Sequence, residues 1–167
     1  MPKKQIYLTG FMGTGKSMIL NCLHEVCGFD KIEMDEQIVQ EQGMSIPEIF
    51  EKKGEEYFRN LETELVKKIS AMDNIVVSCG GGTVMRQCNV DEMKKNGTIV
   101  LLTAEPETVY ERVKGSHNRP LLEKNMNPEY IKELMEARRP KYEAAADFVI
   151  KTDTVSYTHL RAHETDS

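Results

Sequence analysis

The chain has 167 residues, enough for one domain around one core, with the 40% hydrophobic and 29% charged content of an ordinary soluble globular protein. Its formal net charge of -5 argues against nucleic acid as the main partner, because phosphate backbones recruit basic surfaces. No apolar run approaches the roughly 20 residues of a membrane span, and the four cysteines (Cys22, Cys27, Cys79 and Cys88) form no C-x-x-C pair, so a spanning helix, a zinc site and a redox motif are not expected.

In chain order, residues 6–9 read as a first strand. Gly10-Phe11-Met12-Gly13-Thr14-Gly15-Lys16-Ser17 follows and matches G-x-x-x-x-G-K-[ST]. Its glycines let the backbone curl so that N–H groups point at phosphate oxygens, and a helix starting there adds its positive end. Lys16 suits the β- and γ-phosphates of a nucleotide, and the Ser17 hydroxyl suits Mg²⁺. The helix is expected over residues 16–26, with Ile19, Cys22, Leu23 and Val26 turned inward.

Residues 31–34 read as a second strand whose end is Glu33-Met34-Asp35. Alternation along a strand puts both carboxylates on one face. Two readings of this pair stand: a site for magnesium and a substrate hydroxyl, or a solvated strand end leading into an acidic helix start at Glu36.

Ser45, Pro47 and Glu48 form a capping-box start for a helix. Phe58, Leu61, Leu65 and Ile69 make one face of another. Residues 75–79 read as a third strand, followed by Gly80, Gly81 and Gly82. Gly97 is read as ending a short helix, and residues 98–103 as a fourth strand. Pro106 opens a helix with Val109, Tyr110 and Val113 inward. The stretch 114–127 has weak periodicity and reads as a mobile lid over the strand ends. Asn127-Pro128 caps a helix with Ile131, Leu134 and Met135 inward, and Phe148–Lys151 is the fifth strand. This alternation predicts an α/β fold of three layers: a five-stranded parallel sheet with helices on both faces, in a single domain over residues 1–154.

Several of these motifs together resemble the shikimate kinases, a family of P-loop small-molecule kinases. The resemblance rests on the cradle at residues 10–17, Glu33-Met34-Asp35, Phe58-Arg59, Gly80-Gly81-Gly82, Arg119-Pro120-Leu121-Leu122, and Arg138-Arg139-Pro140-Lys141-Tyr142, in the family's order. It implies transfer of the γ-phosphoryl group of ATP, with Mg²⁺, to the 3-hydroxyl of shikimate in the chorismate pathway. A monomer is expected because no coiled coil or apolar surface stripe stands out, and a cytoplasmic setting because the cysteines read as idle thiols in a reducing cytosol. Gly13, Thr14, Gly15, Lys16, Ser17 and Met18 would then hold the nucleotide, with Ser17 on the metal. Arg112 resembles the family's adenine-stacking residue. Lys16, Asp35 and the lid residue Arg119 look catalytic. Asp35 resembles the carboxylate that activates the accepting hydroxyl, Arg59 and Arg138 the pair that grips the substrate carboxylate, and Gly80, Gly81 and Gly82 the surface under the ring. Phe50, Phe58 and Glu62 match positions that shape the pocket, and Ser78 one near the metal shell.

Three departures stand out. Glu33 replaces the family's usual Asp, which moves the carboxylate by about 1–1.5 Å. Met18 replaces a common Thr. Residues 155–167 hold too little apolar content for the family's last helix and resemble translated adapter sequence, so a non-native or unstructured tail is expected; His159 and His163 within it are not read as metal ligands. A gluconate kinase is the main alternative, opposed by the F-R and G-G-G motifs. A catalytically impaired nucleotide-binding homologue is the other, opposed by the intact Lys16, Asp35, Arg59, Arg119 and Arg138.

Overall fold

The computed structural model describes residues 4–114 and 127–153. The expected lid (apart from its end residues), Arg119 within it, and the tail at 155–167 lie outside the described residues.

Five strands, β1 (Gln5–Thr9), β2 (Asp30–Glu33), β3 (Ile75–Ser78), β4 (Gly97–Thr103) and β5 (Phe148–Lys151), form one sheet in the order β2-β3-β1-β4-β5. Every pairing is parallel, with Gln5 opposite both Ile75 and Gly97. The connections are helical: α1 (Lys16–Cys27), α2 (Met34–Gln42), α3 (Ile46–Lys53), α4 (Glu55–Ile69), α5 (Gln87–Lys94), α6 (Pro106–Val113) and α7 (Pro128–Ala145), with a 3₁₀ turn at Thr83–Met85.

Strand alternation sorts the apolar side chains onto two faces. Tyr7, Ile75, Val77, Ile99 and Leu101 enter a large core with Leu65, Met93, Val109 and Ile131 from the helices. Leu8 and Val76 enter a smaller core with Leu20 of α1, flanked by Ile6, Ile19, Leu23 and Val100. A parallel sheet buried on both sides is the expected three-layer fold. β1 lies at the centre with β3 and β4 beside it, so the loop leaving β1 opens at the crevice where strand order reverses, the usual ligand position in such sheets.

Two expected caps form. The Ser45 hydroxyl accepts from the Glu48 amide and starts α3, and the Asn127 side chain accepts from the Tyr130 amide and starts α7. Three details differ from the sequence reading. β2 ends at Glu33, which is the N-cap of α2, so Asp35 stands in the first turn of a helix and not on a strand. On α1 the buried residue is Leu20, with Ile19 and Leu23 packed beside it, while Val26 in the last turn is 49% exposed. Gly97 is the first residue of β4 and not a helix end: a side chain there would meet the Tyr7 ring.

Candidate active site

The loop from β1 to α1 wraps a concavity. Gly13 and Gly15 have φ of 79° and 98°, values that favour glycine, and Gly15 is the N-cap of α1. A Cβ on Gly13 would also fall 2.7 Å from Val113 of α6. Thr14 stands behind the loop: its hydroxyl donates to the Phe11 carbonyl at 2.7 Å, and its own carbonyl accepts from Thr152 at 2.7 Å. The Lys16 ammonium curls back over the loop and donates to the Gly10 carbonyl at 2.6 Å and the Phe11 carbonyl at 3.3 Å. The Ser17 hydroxyl faces Glu33 Oε1 at 3.4 Å. Arg112, from α6, donates to the carbonyls of Gly13 and Thr152, tying the loop to the chain that leaves β5.

The other half of the cavity is built on the loop after β3. Each of its glycines makes room for a different charged group. A Cβ on Gly80 would lie 2.7 Å from Glu62 Oε2 and 2.9 Å from Asp35 Oδ1. On Gly81 it would lie 3.0 Å from Arg138 Nη1, and on Gly82 2.5 Å from Arg59 Nη1. None of the three has positive φ, so the glycines serve space and not backbone conformation. Aromatic rings support both guanidinium groups: Arg59 lies 5.4 Å from the Phe58 ring centre and Arg138 5.7 Å from that of Phe11. Phe58 meets Phe50 edge-on at 5.2 Å.

Arg59 is held by neighbours on α4. It pairs with Glu62 at 2.7 Å and with Glu55 at 3.4 Å. Glu62 is fully buried and accepts a second bond from Thr83 at 2.8 Å. Burial pushes the Glu62 carboxyl up; Arg59 and Thr83 oppose that shift and the Asp35 charge adds to it. Burial acts to lower the Arg59 pKa, but the Glu62 and Glu55 carboxylates outweigh it and hold the guanidinium firmly charged. The cavity, of about 470 Å³, is lined by the glycine-rich loop with Lys16 and Ser17, by the Arg59 and Arg138 side chains and by Asp35.

A family model described as shikimate kinase matches residues 12–163. The shikimate kinase of Persephonella marina is 45% identical over 150 residues, 90% of either chain. That of Thermodesulfovibrio yellowstonii is 44% identical, over 90% of this chain and 86% of its own. The chain belongs to the shikimate kinase family. A solved shikimate kinase from Acinetobacter baumannii, in complex with shikimate, is similar at a TM-score of 0.88 and 31% identity, over 99% of this chain and 90% of its own. Membership of this family carries ATP-dependent phosphoryl transfer to an alcohol oxygen as its activity.

Within this shikimate kinase fold, Gly13, Gly15, Lys16, Ser17, Met18, Asp35, Arg59, Gly80, Gly81, Gly82, Arg112 and Arg138 all line the one cavity, with Glu33, Phe50, Phe58, Glu62 and Ser78. Thr14 is the described exception. Arg59 lines the cavity while it is paired with Glu55 at 3.4 Å and Glu62 at 2.7 Å. Arg138 and Arg139 sit inside α7, which runs through Pro140 to Ala145. Sequence reading passed over Thr83 and Cys79. Cys79 lines the cavity beside Gly80, and burial pushes its thiol far up, the Lys16 charge opposing. Thr83 had one available signal, its place directly after three glycines.

Proposed function

We propose that this chain transfers the γ-phosphoryl group of ATP to the 3-hydroxyl of shikimate. The observation that carries the reading is the arrangement around the glycine shelf. Two guanidinium groups, Arg59 and Arg138, stand over Gly82 and Gly81, and the Asp35 carboxylate stands beyond Gly80. Forked donors pair with a carboxylate, while a carboxylate facing a hydroxyl accepts its proton. A small acid with a carboxylate at one end and hydroxyls at the other matches that order of groups.

In this reading Asp35 orients the accepting hydroxyl and takes its proton as the oxygen attacks phosphorus. The loop amides of residues 13–17 and Lys16 hold the phosphates, and Arg112 packs on the adenine. Lys16 and the lid residue Arg119 offset the charge on the transferring group. Oxygen donors suit Mg²⁺, which keeps several waters and takes few protein ligands. The Ser17 hydroxyl, facing Glu33 at 3.4 Å, fits that demand, and these two residues would hold the ion. The ion would neutralise phosphate charge. A monomer acting in the cytoplasm belongs to the same proposal. Separately, among the described residues no helix is long and apolar enough to cross a membrane.

The test is ADP release by the purified protein with MgATP, with shikimate, with gluconate, and with neither. Shikimate-dependent turnover is expected. Asp35→Asn should lower kcat by about 10²–10⁴-fold. Arg138→Ala should raise the acceptor KM by about 10- to 100-fold, the loss of a charged hydrogen bond. Folded protein that binds ATP but gives no shikimate-dependent turnover would sink the assignment, and gluconate-dependent turnover would replace it.

A further inference from the structure

We propose that Tyr142 is a positioning residue for the acceptor site: its hydroxyl pins the Gly81 carbonyl and so sets the glycine shelf against the Arg138 guanidinium. The proposal rests on the reading above, in which shelf and guanidinium hold the acceptor.

The turn after β3 closes its own backbone bonds on either side of Gly81. The Thr83 amide donates to the Gly80 carbonyl at 3.2 Å and the Met85 amide to the Gly82 carbonyl at 3.1 Å. The Gly81 carbonyl between them takes its bond from the Tyr142 hydroxyl. Tyr142 is 5% exposed, with its ring in the main core, so the hydroxyl is carried on a body that cannot swing. Burial pushes its phenol up, the Arg138 and Arg59 charges opposing, which leaves it a proton donor.

Arg138 and Tyr142 are four residues apart on α7 and share a face. Both reach the same glycine: the space beside Gly81 lies 3.0 Å from Arg138 Nη1 and 3.8 Å from the Tyr142 hydroxyl. One helix thus carries both the cation that would meet a carboxylate and the pin that fixes the surface beneath it. A second tie, from Lys141 Nζ to the Met85 carbonyl at 2.9 Å, joins α7 to the far end of the turn, away from the cavity. With the pin removed, Gly81 can tilt, and its distance to Arg138 is no longer set.

The experiment compares wild type, Tyr142→Phe and Lys141→Ala. Tyr142→Phe keeps the ring and deletes the pin. Four quantities are read: shikimate affinity by calorimetry, ATP affinity, the KM and kcat for both substrates, and hydrogen exchange over residues 80–82 without ligand. The expected result for Tyr142→Phe is shikimate affinity weakened about tenfold, the scale of one buried hydrogen bond. Shikimate KM should rise with it, ATP affinity should stay within about twofold, and exchange at residues 80–82 should quicken. Lys141→Ala should leave shikimate affinity unchanged. Equal losses of ATP and shikimate affinity, tracking a loss of thermal stability, would overturn the proposal in favour of a packing role. So would unchanged exchange and affinity in folded Tyr142→Phe. If wild type itself binds no shikimate, the acceptor reading fails, and the exchange data still decide whether Tyr142 holds the shelf.

Discussion

Gly82 has φ of -105°, a value any residue adopts, yet a methyl group there would fall 2.5 Å from the Arg59 guanidinium. The clash is with the end of a flexible side chain, so the fold can absorb it while the guanidinium moves. Gly82→Ala should therefore leave the melting temperature nearly unchanged and raise the acceptor KM by about 10- to 100-fold, the scale of an ångström's misplacement. Steady-state kinetics beside thermal melts separate the two effects. Arg59 is constrained from its other side by Glu62, itself braced by Thr83. A buried carboxylate held by two donors is costly to disturb, which makes it a stiff support for the residue that would grip the substrate.

At the level of elements, α7 performs two tasks. Its N-terminus is set by the Asn127 cap and Pro128, and beyond Pro140 it continues because Tyr142 and Ala145 are buried against the turn and the sheet. A proline inside a helix costs a hydrogen bond, and the packing beyond it decides that the helix goes on. Strand β4 shows the opposite economy of space. A Cβ on Gly97 would lie 2.4 Å from the Tyr7 ring and 2.7 Å from the Met93 carbonyl, and Tyr7 is fully buried. Neither neighbour can yield. Gly97→Ala should destabilise the protein by about 1–3 kcal/mol, the usual cost of overpacking, read as a lower urea midpoint at constant m-value.

For the molecule as a whole, the cradle and the shelf both leave the ends of adjacent strands of one sheet, so a ligand that binds only the folded chain stabilises the sheet that joins them. MgATP at 100 times its Kd should add about 2.7 kcal/mol, or roughly 5–10 °C in Tm for a chain of this size. Chelating the metal with EDTA at the same ATP concentration should remove most of that gain. An equal shift with and without metal, measured by scanning calorimetry, would mean that Ser17 and Glu33 do not hold the ion with the nucleotide. The β5 edge differs in character: Phe148, Val149 and Ile150 are 63%, 60% and 43% exposed, so this strand contributes pairing to β4 and little core.

The elements in chain order, the cradle and the two caps were legible in the sequence, because each depends on local rules: period, turn chemistry and fixed spacing. Arg59, Arg112 and Arg138 stood out only through the resemblance to the family. Asp35 was found for a reason that the fold replaced, since a strand alternation was assumed where a helix begins at Met34. Glycine patterns announced Gly80, Gly81 and Gly82 as a surface, but not which charged group each would face. That pairing joins α2, α4, α7 and the turn after β3, segments that lie up to 100 residues or so apart in the chain and that meet only because a parallel sheet brings its strand ends to one edge. The partners of Thr83 and Tyr142 were invisible for the same reason, although Tyr142 stands in the quoted motif. Their hydroxyls matter through Glu62 and Gly81, distant in sequence, and a hydrogen bond of that kind exists only once the core has set both partners in place.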